Sequence, residues 1–175
     1  MPSRPVKKAE PTDLPINVYP RGNVLHPTSN FTAEHRVGTA LRETYYGFCR
    51  SMSAVLSRQG ITLSMWFVLR ELWNQDGLSQ GVIAKRTGTS APSIVNIVKA
   101  LEREGLVRRS TSEADRRVSF IALTREGKLL EARLTRAVLP MDAEALSGFS
   151  KSEVNLLLNM LGRLRANTAR LVEDK

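Results

Sequence analysis

Three observations predict a mainly α-helical fold in which a helix-turn-helix and a short β hairpin lie between long amphipathic helices. Apolar residues recur at three- and four-residue steps near both ends of the chain. Ala84, Gly88 and Ile94 have the spacing of a helix-turn-helix. Two β-prone stretches, Val107 to Ser110 and Val118 to Leu123, flank a polar, charged segment that suits a hairpin tip.

Composition sets the limits. A chain of 175 residues, 42% apolar and 25% charged, can bury a core without disulfides or metal. The lone Cys49 precludes an internal disulfide framework, and a cytoplasmic location is the expectation. The longest apolar run, Met65 to Leu69, is far short of the about 20 residues of a membrane span. The first thirty residues hold six of the eight prolines and no apolar stretch of the kind a secretory signal needs. Lys and Arg number 26 against 17 acidic residues, a net charge of +9, which makes a polyanion the leading partner class and an anionic membrane its rival.

Residues 1–31 read as an extended, Pro-rich arm, because each proline fixes φ and pushes its predecessor away from helix. Leu14 to Pro20 carries enough apolar groups to dock, and a dimer surface is one place for it. From Thr32, Val37, Leu41, Tyr45, Phe48, Met52, Val55 and Leu56 form one helical stripe ending near Gly60. Thr62 suits the N-cap of a helix over Leu63 to Asn74 that is apolar on nearly every face and therefore buried. Asp76-Gly77 is a turn. Ser79 caps a short helix to Thr87, Gly88 breaks it, and Ser90 caps another from Ala91 to about Glu104, stopped by Gly105. After the hairpin, Thr124 caps a helix expected to end near Val138, since Pro140 opposes its continuation. Ser150 or Ser152 starts the last helix, with a stripe of Val154, Leu157, Leu158, Leu161, Leu164 and Leu171.

The two terminal stripes exceed what one helix-turn-helix core can cover. Packing the chain ends together and against a second copy buries both, which predicts an obligate homodimer.

Within the helix-turn-helix, Ala84 lets two helices approach, Gly88 permits the turn and Ile94 anchors the second helix. Ser90, Pro92, Ser93, Asn96, Lys99 and Arg103 then face outward. Short polar groups near a helix N-terminus fit a major groove, and asparagine can pair an adenine edge with two hydrogen bonds. Lys99 and Arg103 suit phosphate. Between Leu78 and Arg125, nine basic residues (Arg109, Arg116 and Arg117 among them) face four acidic ones. That is +5 in 48 residues, leaving +4 for the other 127, so the basic excess is concentrated here.

Leu78-Ser79-Gln80-Gly81-Val82-Ile83-Ala84-Lys85-Arg86-Thr87-Gly88-Thr89-Ser90, then Ser93-Ile94 through Leu101-Glu102-Arg103-Glu104-Gly105-Leu106-Val107, resembles the MarR family of bacterial transcriptional regulators. So do Asp115-Arg116-Arg117 and Leu123-Thr124-Arg125-Glu126-Gly127, and the likeness extends more weakly from about Thr32 to Leu171. The chain departs from the pattern at Thr87, where a larger aliphatic is usual, and at Gly81 and Val82.

The resemblance implies a winged helix-turn-helix with N- and C-terminal dimerisation helices. It assigns residues 32–60 and 125–175 to dimerisation and residues 61–124 to DNA binding. Ser90, Pro92, Ser93 and Asn96 match groove-entering positions, Arg117 the wing arginine, and Asp115 the acid that orients basic side chains there. An arginine at a hairpin tip also suits the narrow minor groove of A·T-rich DNA. The partner is then double-stranded DNA carrying a pseudopalindromic operator.

Family members often bind a small phenolic or carboxylated ligand between the dimer helices and the winged helix. Tyr45, Tyr46, Cys49, Trp66 and Arg70 are the candidates for that crevice, each with core or dimer packing as its alternative role. An aromatic acid, or its coenzyme A thioester given Arg36, Arg42, Arg50 and Arg58, is the expected effector. Peroxide-sensing members carry their cysteine nearer the start of the first helix, close to Gly38 here, so Cys49 reads as an inert buried thiol. His26, His35 and Cys49 have no metal-binding spacing, no nucleophile has a histidine base nearby in sequence, and no cofactor is expected. The rival function is a basic architectural or RNA-binding module without ligand control.

Overall fold

A computed structural model describes residues 33–111 and 119–173. The arm at residues 1–31 lies outside the described residues, as do Asp115, Arg116 and Arg117 of the expected wing tip. The chain divides into two compact units, the first ending at Val138 and the second beginning at Leu139.

In the first unit, α1 (Ala33–Ser57) is followed by a turn in which the Gln59 and Gly60 amides donate to the carbonyls of Leu56 and Ser57. Next comes α2 (Leu63–Asn74), capped by Thr62, whose Oγ1 accepts from the Met65 amide at 3.2 Å. Six of its twelve residues are buried, including Val68, Leu69 and Leu72 at 1% exposure or less, so α2 is the axis of the core. Arg70 and Asn74 reach solvent, leaving one narrow polar edge.

The helix-turn-helix follows the sequence expectation closely. Helix α3 (Gln80–Thr87) is capped by Ser79, and Gly88 closes it at φ +64°, a conformation that a residue with a Cβ rarely adopts. Helix α4 (Ala91–Arg103) is capped by Ser90, whose Oγ accepts from the Ser93 amide. Ile94, Val98 and Leu101 are fully buried along one face of α4, and Ile83 is buried on α3. The departures from the family pattern are accommodated. Thr87 donates its hydroxyl to the Ile83 carbonyl at 2.8 Å, while Gly81 and Val82 lie on the exposed side of α3.

The sequence predicts two strands, and among the described residues there are three. β2 (Val107–Thr111) and β3 (Ser119–Leu123) pair antiparallel with Val107 opposite Leu123 and Arg109 opposite Ile121. On the other side of β3 lies β1 (Leu78–Ser79), with Leu78 opposite Ile121, giving the order β1-β3-β2. Two residues carry no periodicity, so β1 is set by its long-range partner rather than by local sequence.

Helix α5 (Arg125–Ala145) corrects an expectation, because it runs through Pro140 instead of ending near Val138. The ring removes one amide donor, but Pro140 and Arg136, four residues earlier, are both exposed, so water can serve the freed carbonyl. At its start Gly127 has a steric reason to be glycine: a Cβ there would stand 2.1 Å from the Leu106 carbonyl oxygen.

In the second unit, α6 (Lys151–Glu173) opens with a reciprocal cap. The Ser150 amide donates to Glu153 Oε2 at 2.8 Å, and the Glu153 amide donates to Ser150 Oγ at 3.3 Å. The Ser150 hydroxyl, then its amide, hold the Glu153 carboxyl below its ordinary range. Along α6, Leu156, Leu158, Met160 and Leu171 are more than half exposed in the single chain.

Candidate nucleic-acid interface

The buried face of α4 dictates its exposed one. With Ile94, Val98 and Leu101 fixed in the core, Asn96, Lys99 and Arg103 are turned outward and line an open hollow of about 650 Å³ together with Glu102. At the N-terminal end Ser90 and Pro92 are exposed and Ser93 is half-buried. The Ser90 and Ser93 hydroxyls lie 2.9 Å apart, so the cap also orders the polar groups at the helix tip. Every candidate on α4 and its cap therefore shares one helix, with groove-sized groups at the tip and long cations farther along.

Arg109 stands differently. Its Nε lies 3.0 Å from Glu102 Oε2, an ion pair that ties β2 to α4. Both partners are about one-third exposed, so the pair orients the hairpin more than it stabilises it.

Several positioning groups were not singled out by sequence. Arg86 of α3 donates to Gln75 Oε1 at 2.6 Å and lies 3.8 Å from Glu71, fastening the motif to the end of α2. Asp76 is a three-way junction: its Oδ1 accepts from the amides of Gly77 (2.9 Å) and Leu123 (2.8 Å), and its Oδ2 lies 3.2 Å from Lys128 Nζ. Partial burial alone would raise the Asp76 pKa. The Leu123 amide, Lys128 and the Gly77 amide outweigh it, and the carboxyl is held below its ordinary value. A turn such as Asp-Gly is legible in sequence; its distant donors are not.

The effector candidates fall on two helices. On α1, Tyr45 is half-exposed, Tyr46 is partly buried with its ring 6.0 Å from that of Tyr45, and Cys49 is buried. A hydrogen bond with Cys49, then partial burial, raises the Tyr45 pKa. On α2, Trp66 is buried edge-on to Trp73 with ring centroids 5.6 Å apart, and Arg70 is exposed. The Trp66 indole N–H has no hydrogen-bond partner among the described residues. Tyr45, Tyr46 and Cys49 are thus brought together, while Trp66 belongs to the aromatic part of the core. Among the described residues, no group of three or more His, Cys, Asp or Glu could hold a metal ion.

Against known proteins, residues 61–119 match the model of the MarR family. A Thauera aromatica protein named as a transcriptional regulatory protein for the hcr operon is 33% identical over 110 residues, or 63% of this chain. The match spans 66% of that relative, just under two thirds of its length. Among solved structures, the Staphylococcus aureus MepR–DNA complex is 26% identical with a TM-score of 0.67, over 78% of this chain and 98% of that one. CouR from Rhodococcus jostii RHA1, bound to p-coumaroyl-CoA, is 25% identical with a TM-score of 0.65, over 73% of this chain and 90% of that one.

Proposed function

This chain belongs to the MarR family, and from that premise we propose that it is a sequence-specific, DNA-binding transcriptional regulator acting as a homodimer in the cytoplasm. The observation that carries the reading is the exposed face of α4, where Ser90, Pro92 and Asn96 sit at the groove-entering end and Lys99 and Arg103 beyond it. In this reading Asn96 reads a base edge, Lys99 and Arg103 neutralise phosphates, and Arg117 enters the minor groove. Asp115 and Arg116 act beside Arg117, and Arg109 contacts DNA from the Glu102 pair. Half-sites lie about one helical turn, roughly 10 bp, apart. The protein binds and does not catalyse.

The regulator is a repressor released by a small aromatic carboxylate or its coenzyme A thioester, held beside Tyr45, Tyr46, Cys49, Trp66 and Arg70. The unpartnered Trp66 N–H and the exposed Arg70 supply a donor and a cation for such a ligand. CouR, with p-coumaroyl-CoA bound, supports the thioester alternative. The exposed leucines of α6 support the homodimer, since a second copy would remove them from water.

The test is binding of the purified protein to its own upstream intergenic DNA and to a random duplex at near-physiological salt, with aromatic acids and their coenzyme A thioesters then titrated in. Specific binding released by one compound is the expected result. Specific binding that no compound alters removes the effector and leaves the regulator. Equal binding to both duplexes favours the architectural module.

A further inference from the structure

We propose that the open hollow of about 520 Å³ at the base of the hairpin, lined by Arg108, Leu123, Thr124, Arg125, Lys128 and Leu129, is a phosphate-binding site. It goes beyond the recognition surface of α4 and rests on the regulator reading for only one of its two sources of phosphate.

Three cations from two elements converge there, Arg108 from β2 and Arg125 and Lys128 from the first turn of α5, and no carboxylate lines the hollow. Neighbouring cations are already committed: Arg109 pairs with Glu102, and Lys128 has Asp76 at 3.2 Å. Arg108 and Arg125 have no ion-pair partner among the described residues. Grouped like charges repel, and an anion between them relieves that repulsion. The hollow also meets the start of a 21-residue helix. There Thr124 Oγ1 takes the Gly127 amide at 3.0 Å, while the Arg125 and Glu126 amides have no acceptor among the described hydrogen bonds.

The donor set selects the anion. One guanidinium saturates a carboxylate with two parallel hydrogen bonds. The two guanidiniums of Arg108 and Arg125, beside the ammonium that Lys128 shares with Asp76, exceed that and suit a tetrahedral dianion with several acceptor oxygens. The phosphate has two sources: the backbone of a bound duplex, or a soluble phosphorylated molecule whose apolar part could rest on Leu123 and Leu129.

The experiment compares Arg108→Gln/Arg125→Gln with Arg136→Gln/Arg163→Gln, which removes the same charge from exposed positions outside the hollow. Calorimetric titration with inorganic pyrophosphate is one arm, and the salt dependence of duplex binding is the other. A soluble source predicts pyrophosphate binding weakened about tenfold or more in the first pair and unchanged in the second. A duplex source predicts no pyrophosphate binding, and a salt slope reduced by about two only in the first pair. Both results support the site. Identical behaviour of the two pairs in both arms overturns it. If the first pair fails to fold, amide shifts of the wild-type protein decide between the outcomes. Shifts at Arg125 and Glu126 on adding pyrophosphate, or on adding duplex, support the site; their absence with both overturns it. A wild type that binds pyrophosphate but shows no sequence preference would refute the regulator reading and leave the site standing.

Discussion

The indole N–H of Trp73 donates to the carbonyl oxygen of Gly127 at 2.9 Å, joining the last turn of α2 to the first turn of α5 across 54 residues of sequence. The contact requires the backbone of α5 to come close, and Gly127 allows it, lying against the Leu106 carbonyl where no Cβ fits. Removing the donor by Trp73→Phe should cost about 1 kcal/mol in denaturant unfolding, with the ring's packing on Trp66 largely kept. Gly127→Ala must displace backbone rather than a flexible side chain, and should cost about 3 kcal/mol or more. Equal, small losses for the two variants would show that the close approach is not constrained.

Asp76 makes stability depend on pH with a definite sign. Its folded pKa lies below its ordinary value of 3.8, so its contribution is present above that value and is lost as pH falls through the folded pKa. Asp76→Asn keeps an acceptor for the Leu123 and Gly77 amides and discards the charge that faces Lys128. The wild type should therefore melt above the variant near neutrality, with the gap closing through the acidic carboxylate range. A gap that stays constant with pH would exclude the ionised carboxylate as its source.

Asn96→Ala should weaken operator binding by about 1–3 kcal/mol and relax the preference at one base pair of each half-site. Lys99→Ala should weaken binding to all sequences alike and lower the salt slope by about two, one phosphate contact from each protomer. Fluorescence anisotropy on matched and single-mismatch duplexes across a salt series separates the two. An unchanged slope for Lys99→Ala would remove its phosphate contact.

The exposed stripe of α6 should disappear into a dimer. Leu158→Glu with Leu161→Glu should convert a dimer into a monomer on light scattering, because burying two carboxylates in an apolar seam is strongly unfavourable. A dimer that persists in this variant would place the seam elsewhere.

The local features of the fold were legible in the residues. Thr62, Ser79 and Ser90 cap their helices as expected, and Gly88 takes the positive φ that the turn requires. Each of these is decided within about four residues, the range over which caps and turns act. What escaped depends on distant partners. β1 exists only through its pairing with β3, and the Asp76 and Trp73 contacts span 47 and 54 residues. Pro140 misled for a related reason: its cost depends on whether water can reach the freed carbonyl, which exposure decides. On α4 the outward face was readable because burial of Ile94 and Val98 leaves little choice about what faces out. The effector candidates were less so, since an aromatic on a helix can face core or ligand, and Trp66 packs in the core against Trp73.

Selection of bound duplexes from a random-sequence pool at near-physiological salt bears on the regulator reading as a whole. The pool should converge on an inverted repeat with half-sites roughly 10 bp apart, enriched about a thousandfold or more over bulk DNA. A pool that stays without consensus after repeated rounds would refute sequence-specific regulation and leave a basic protein that binds nucleic acid through charge alone.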